Sequence, residues 1–152
     1  MIFLINYILF ILFGMVVYTV LTSSEESIPV DGDIIDYLKQ YINHLSCLLE
    51  DNPETLEIFF GEPCTIPILQ NIFDFVIRLH HTDNKEAISN DFIQYLLVDG
   101  DFKKMYDVLV VSNSLECQVV TDLLTKFIAD EIKSCRNKDE VLAKFGNTSA
   151  KV

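Results

Sequence analysis

The hydrophobic pattern begins with an almost unbroken apolar run at the amino terminus. Between Ile2 and Leu21 nearly every residue is apolar, and the first charged side chain is Glu25. This length is close to the roughly 20 residues that a bilayer-spanning helix needs. The run is compatible with a membrane anchor, a cleaved signal or an extension ahead of a folded domain.

Three short segments after residue 14 have strand character. Residues 15–22 are rich in Val, Tyr and Thr, which suit a pleated, half-buried surface. Residues 27–30 follow a polar SSEE turn and predict the second strand of a hairpin. Pro29 cannot donate a hydrogen bond to a neighbouring strand, so we expect this strand at a sheet edge. The run TLEIFF at 55–60 predicts a third strand.

Helical spacing begins between the second and third strands. Residues 31–51 carry one apolar stripe and predict a single helix, capped by Asp31 or Asp33. Pro67 predicts the first turn of another helix, because its missing N–H has no partner there anyway. The polar stretch 80–91 predicts a loop.

The remainder of the chain is predicted to be helical. Gly146 is expected to cap the last helix. Because strands fall in the first 66 residues and helices dominate afterwards, the pattern predicts an α+β fold. The further predicted helices cover 92–97, 101–115, 117–135 and 138–147.

Composition narrows the class of function. The chain has 152 residues, half of them hydrophobic, which is enough for one domain with a substantial core. The net charge of −12 argues against a nucleic-acid surface and against docking on anionic lipid, since both need clustered Lys and Arg. The acidity is better explained as keeping a partner-binding surface soluble.

Candidate catalytic and metal-binding chemistry is weak. The four cysteines (Cys47, Cys64, Cys117 and Cys135) have no CxxC spacing and are interpreted as free thiols, although disulfides stay possible in a secreted chain. His80 and His81 have no ligands at metal-binding spacing, and His44 lies beside an apolar stripe. No nucleotide, hydrolase or zinc-protease motif is present. We therefore predict no enzymatic activity, no metal and no cofactor.

Several segments, taken in order, resemble one family. They are VYTVLTSSEESIPVD, LSCLLED, IPILQNIFDFVIRLHHTDN, FIQYLLVDGDFKKMYDVLVVSNSL, LLTKFIADEIK and DEVLAKF. Their order and spacing over residues 15–147 are similar to the Skp (S-phase kinase-associated) proteins, relatives of elongin C. Those proteins link a cullin to F-box substrate receptors in SCF ubiquitin ligases.

The resemblance implies a fold, partners and contact residues. The fold would be a BTB/POZ-like small sheet flanked by helices, at 15–100, followed by an F-box-binding helical region at 101–147 and a tail at 148–152. The cullin N-terminal region would contact Asn113 and Ser114, the latter at a position where the family commonly has Tyr. F-box proteins would contact the C-terminal helices, at Val119, Leu123, Phe127, Val141 and Phe145. A purely internal role for these five side chains stays open, because any amphipathic helix needs an inner face.

Two features of the family are not matched. Its long acidic linker is reduced to about NKEAISND, and its further helix after the Phe145 position is missing. The implied function is an adaptor, without enzymatic activity, in ubiquitin-dependent protein degradation. An elongin C-like adaptor is less favoured, because the chain continues well beyond the Asn113 position.

The family resemblance changes the interpretation of the amino terminus. If 16–21 form a strand they cannot lie in a bilayer, which leaves residues 1–14, a run with no basic flank and no cleavage pattern. We expect 1–14 to be an extension and the adaptor to be cytoplasmic or nuclear. The alternative is a membrane-tethered assembly protein, anchored through residues 1–14, that self-associates through a BTB-like body. A weak homodimer is possible in either case.

Overall fold

The computed structural model describes residues 17–22, 27–45, 57–60, 64–97 and 102–149. Within these ranges three strands and six helices follow one another along the chain, and residues 43–45 form one further helical segment at the edge of a described range. Their order is β1 (Val17–Thr22), β2 (Ser27–Asp31), α1 (Gly32–Lys39), β3 (Glu57–Phe60), α2 (Ile66–His81), α3 (Lys85–Leu96), α4 (Lys103–Ser114), α5 (Gln118–Ser134) and α6 (Lys138–Ser149).

The fold class differs from the α+β prediction. The protein is mostly helical, and the BTB/POZ-like sheet expected from the family resemblance is not its organising feature. In the part of the chain that the structure describes, strand is confined to segments of 6, 5 and 4 residues, whereas α2 and α5 alone have 16 and 17. The prediction of the fold class counted each strand-like run as equal to each helical run, although the helical runs are much longer.

The short strands form one small sheet in the order β2-β1-β3. Strand β1 pairs antiparallel with β2, with Val17 opposite Asp31, and parallel with β3, with Thr19 opposite Glu57. Pro29 lies on β2, a strand at the edge of the sheet. Proline has no N–H to donate to a neighbouring strand, and such a residue is tolerated at an edge. The predicted SSEE turn lies outside the described residues.

Helix α1 is shorter than the single helix predicted over 31–51. The Asp31 carboxylate accepts a hydrogen bond from the Asp33 backbone N–H at 2.9 Å and so caps the first turn. The helix ends at Lys39, and a turn then brings Ile42 and Leu45 into the core, where both are fully buried. The His44 backbone N–H donates a hydrogen bond to the Leu115 carbonyl at 3.1 Å, and this bond holds the turn in place. The rest of the predicted stripe, at 46–51, lies outside the described residues.

The central helix is α2, which packs against α1, α3 and α4. It begins at Ile66 with Pro67 in its first turn, as the sequence predicted. Its buried face lies at helical spacing, so three neighbouring helices can cover it. The buried residues of α2 are Leu69, Ile72, Phe73, Phe75, Val76 and Leu79.

The loop predicted at 80–91 is wrong. His80 and His81 complete α2, and α3 begins only a few residues later at Lys85. Asn84 starts α3 by accepting a hydrogen bond from the Ala87 N–H at 3.1 Å. Helix α3 is polar over its first turns because only its later residues, Phe92, Ile93 and Leu96, are buried.

The C-terminal helices complete a continuous core. Helices α4 and α5 pack on each other, and buried apolar side chains form one cluster from Val30 to Phe145. Gly146 lies inside α6, which continues to Ser149, so its predicted role as a C-cap is wrong.

Candidate protein-binding surfaces on helices α4 to α6

The corner between α4 and α5 is built by backbone hydrogen bonds. The Glu116 N–H donates to the Asn113 carbonyl at 3.1 Å, and the Cys117 N–H donates to the Ser112 carbonyl at 2.9 Å. This pair of bonds is the Schellman arrangement, which satisfies the carbonyls that a helix end leaves unpaired. Glu116 has the left-handed φ of 56° that the arrangement requires. The corner therefore holds the end of α4 in one defined conformation.

Buried side chains fix the same corner from inside. The Ser112 side chain is fully buried, and its hydroxyl donates to the Leu109 carbonyl at 2.9 Å. The Ser112 and Thr121 hydroxyl oxygens lie 3.2 Å apart and share a hydrogen bond between α4 and α5. Cys117 is fully buried beside them, and this burial raises the pKa of its thiol to about 11. Such a thiol is a poor nucleophile near neutral pH, so Cys117 has a packing role.

Asn113 and Ser114 lie exposed on the last turn of α4. The Ser114 hydroxyl donates to the Val110 carbonyl at 3.1 Å, which holds it against its own helix. Val110 is 51% exposed, a large value for an apolar side chain. Because residues three and four apart share a helix face, Val110 belongs with Asn113 and Ser114. We call these three residues the α4-end patch.

Sequence reasoning missed Val110. The signal was available in its spacing, since an apolar residue three and four positions before the two predicted contact residues must share their face. On the same face, one turn earlier, Lys103 and Asp107 form an ion pair at 3.4 Å. The patch is thus one apolar side chain framed by polar and charged groups.

The residues predicted to contact F-box helices are spread over α5 and α6. Val119, Leu123 and Phe127 form one row of α5 at four-residue spacing, and all three are half-buried. The adjacent row of Val120, Leu124 and Ile128 is buried in the core. Rows four residues apart lie along one stripe of a helix, so α5 has an inner row and a half-exposed row beside it.

The two predicted residues of α6 differ from each other. Val141 is half-buried, whereas Phe145 is only 9% exposed and its ring lies 4.5 Å from that of Phe102. Phe145 therefore anchors α6 to the start of α4 and has little surface left for a partner. Leu142, which the sequence reasoning did not select, is 55% exposed.

Polar contacts hold α6 at its start and middle. Asn137 accepts a hydrogen bond from the Glu140 N–H at 2.9 Å, which caps the helix. Lys144 of α6 forms an ion pair with Glu131 of α5. The hydrogen bond to the Glu131 carboxylate raises the pKa of Lys144 above its ordinary value. We call four of the predicted contact residues (Val119, Leu123, Phe127 and Val141), together with Leu142, the α5–α6 surface.

Phe145 and the α4-end patch lie toward opposite ends of α4. Phe102, which Phe145 contacts, precedes the helix, and Asn113 lies in its last turn. At about 1.5 Å of rise per residue, these two positions are roughly 16 Å apart along the axis. Val119, in contrast, lies in the first turn of α5, near the α4-end patch.

Catalytic groups do not gather on these surfaces. Across the described ranges no three His, Cys, Asp or Glu side chains come close enough to hold a metal ion. His80, weighed in the sequence as a possible ligand, is packed between tyrosines, with its Nδ1 3.2 Å from the Tyr41 hydroxyl. Cys64, Cys117 and Cys135 are free thiols, and Cys47 lies outside the described residues.

Comparison with known proteins gives no family. No protein-family model matches the chain, and no curated protein matches it either. Among the described helices, none combines the length and the apolar content needed to span a bilayer. Residues 1–14, predicted as an extension with a membrane anchor as the alternative, lie outside the described residues.

Proposed function

We propose that the protein is an adaptor of the Skp type, which joins a cullin to F-box substrate receptors in a ubiquitin ligase. The observation that carries the proposal is the exposure of the predicted contact residues on the C-terminal helices. Asn113 and Ser114, named by the resemblance for the cullin, are exposed on the last turn of α4, and four of the five predicted F-box residues are half-buried on α5 and α6. The proposal depends on the C-terminal helices and not on the small sheet.

The mechanism is proximity. An adaptor held at a fixed geometry between two partners makes their encounter intramolecular, which raises the effective concentration of one at the other. A substrate carried by the F-box receptor is then presented continuously to the ubiquitin-transferring end of the ligase. Helices suit this task because sites on helices are held more precisely than sites on loops.

The α4-end patch would bind the cullin through a small apolar centre. Val110 is half exposed, and burying such a side chain on binding is favourable by about 25 cal/mol for each Å² of apolar area removed from water. The Asn113 amide supplies both a donor and an acceptor at the rim. This combination of an apolar centre with a polar rim is typical of protein interfaces.

The α5–α6 surface would bind the F-box helices. Its half-buried row at 119, 123 and 127 has the four-residue spacing that receives a partner helix along its length. Leu142 extends the apolar area onto α6, where it is 55% exposed. An apolar side chain this exposed contributes little to the folded monomer and gains most from being covered.

A crossed binding experiment tests the proposal. The full chain is co-purified with a cullin N-terminal domain and, separately, with an F-box domain, and both affinities are measured by calorimetry. Val110→Asp should weaken cullin binding about tenfold or more and leave F-box binding unchanged, while Leu142→Asp should do the reverse. The two substitutions are matched because both place an aspartate at a helix position that is already about half exposed.

The outcomes separate cleanly. Thermal melting and circular dichroism first establish that both variants fold like the unmodified protein. Binding of both partners, each lost in only one variant, supports the bridging role. Failure of the folded, unmodified chain to bind either partner rejects it, as does loss of both partners in both variants.

A further inference from the structure

A groove between α2 and α3 is lined by residues that belong to neither candidate surface. Its volume is about 300 Å³, the lower end of the range found for ligand pockets. Helix α2 contributes a face at three- and four-residue spacing that includes Asp74, Phe75 and Arg78. Helix α3 contributes Asp91, Phe92 and Tyr95.

The floor of the groove is a rigid aromatic pair. The rings of Phe75 and Phe92 are stacked, with centroids 4.3 Å apart and planes inclined by 15°. Both side chains are nearly fully buried, at 2% and 5% exposure. The floor belongs to the core, so it keeps its shape whether or not the groove is filled.

The rim of the groove leaves one carboxylate for a positive charge. Asp74 and Asp91 are both exposed there, and two cations lie close to them: Arg78, 3.6 Å from Asp91, and Lys104, over the ring of Tyr95. Among the described residues Asp74 has no ion pair. The chain as a whole carries a net charge of −12, which adds a long-range attraction for basic ligands.

Tyr95 shows that a cation can be held at this rim. Its side chain is 51% exposed, and the ammonium nitrogen of Lys104 lies over its ring, 3.8 Å from the centroid. This distance is well inside the limit of about 6 Å for an attraction between a cation and an aromatic face. The protein's own lysine therefore marks the chemistry that the ring attracts.

We propose that this groove binds an arginine side chain presented by a peptide segment of a partner protein. A guanidinium group suits this groove for two reasons. It is flat enough to stack on an aromatic face, and its forked donors match a carboxylate such as Asp74. Lysine fits less well, since its compact ammonium group lacks the forked, planar geometry. The site does not depend on the ubiquitin-ligase role, and its occupant is a third partner.

Three capped pentapeptides serve as the probes, with a central arginine, lysine or citrulline, each flanked by serine and glycine. Citrulline keeps the shape of arginine but has no charge. Each peptide is titrated into the ¹⁵N-labelled full chain at low salt, and amide shifts are followed by NMR. The arginine peptide should shift signals around Asp74, Asp91 and Tyr95, whereas the citrulline peptide should not.

Variants test the contacts one at a time. Asp74→Asn should weaken arginine-peptide binding about three- to fivefold, the range expected for a half-exposed ion pair. Tyr95→Ala should weaken it about two- to fivefold. Lys104→Met should strengthen it about twofold, because a competing cation is removed from the ring. Asp139→Asn, with the same charge change on exposed α6, is the matched control and should leave affinity unchanged.

Several results would overturn the proposal. Equal shifts with citrulline would show that charge is not recognised, and tighter binding of a lysine peptide would reject the arginine assignment. Equal losses in the Asp74 and Asp139 variants would reduce the effect to general attraction by an acidic chain. Retention of arginine binding in Val110→Asp and Leu142→Asp is expected, which keeps this test separate from that of the adaptor role.

Discussion

Glu116 occupies a backbone conformation that usually belongs to glycine. Its φ of 56° closes the α4–α5 corner, next to the exposed Asn113 and Ser114. A residue with a Cβ pays roughly 1–2 kcal/mol in this region, because the Cβ crowds the following carbonyl oxygen. The corner persists because the two backbone bonds and the buried Cys117 hold it in place.

Glu116→Gly is expected to stabilise the protein. Removing the strain outweighs the extra flexibility that glycine gives the unfolded chain, about 0.5–1 kcal/mol, so the free energy of unfolding should rise by up to about 1 kcal/mol. Urea unfolding followed by circular dichroism measures the change. Glu116→Ala is the control, because it removes the same carboxylate but keeps the Cβ, and it should gain little. A loss of stability in the glycine variant would contradict the account of the corner.

Because of Cys117, the free energy of unfolding should fall as the pH rises in the alkaline range. Burial raises the pKa of its thiol from 9.0 to about 11 in the folded state. Between these values the thiol ionises in the unfolded chain but stays protonated in the folded one, so unfolding releases a proton and is favoured as the pH rises. The contribution of the thiol is complete below pH 9 and declines toward pH 11.

Cys117→Ala should flatten this dependence. Its urea midpoint should fall less steeply between pH 9 and pH 11 than that of the unmodified protein, even if the variant is less stable at every pH. Comparison of slopes removes the contributions of the groups that both proteins share, including the other buried thiol with a raised pKa, Cys64. Parallel slopes would mean that Cys117 ionises equally easily in the folded and unfolded states.

Helices with long, regular patterns were predictable, except where an apolar stripe continues past the end of the helix. The predicted helices at 101–115 and 117–135 correspond closely to α4 and α5, whose buried rows repeat at helical spacing. The predicted helix at 31–51 failed because its apolar stripe continues past Lys39 while the chain turns. The turn depends on the bond from His44 to Leu115, a contact between distant residues that no local pattern records.

The prediction missed the first turns of helix α3 for the opposite reason. Its first turns are polar, and the segment was interpreted as a loop, although Asn84 followed by Glu86 and Ala87 is a helix start that local sequence can reveal. The Thr82 hydroxyl adds to the cap by accepting from the Asn84 N–H at 3.1 Å. Capping signals deserved more weight there than hydrophobic spacing.

Asn84→Ala should therefore destabilise the protein by about 0.5–2 kcal/mol, the usual contribution of an N-cap side chain. Urea unfolding gives the value. Asn90→Ala provides the matched control, because it makes the same replacement at an exposed position inside α3, where alanine is the better helix former. Equal losses in the two variants would show that Asn84 does not act as a cap.

At the scale of the whole molecule, the balance of helix and strand was misjudged. The sequence contains three strand-like runs in its first 66 residues, and all three form strands, but they are short beside the helices. The core is assembled around α2, whose neighbours are the next helix along the chain, α3, and two helices farther away in sequence, α1 and α4. Which helix becomes central is decided by packing, and packing is not visible in the period of any one segment.

The candidate surfaces were predictable only in part. The resemblance named Asn113 and Ser114, which are exposed, and the half-buried row on α5, but it also named Phe145, which is nearly buried. Val110, Leu142 and the α2–α3 groove were not named. Their exposure depends on which face of each helix its neighbours cover, and that is a property of the assembled protein.

The number of residues in α4, twelve, sets the distance and the angle between the surfaces proposed for the two partners. An α-helix turns by about 100° and advances about 1.5 Å for each residue. Inserting one residue within α4 would therefore swing the face that carries Asn113 through more than a quarter of a turn while barely altering its reach. The orientation of one partner relative to the other therefore depends on the number of residues in α4.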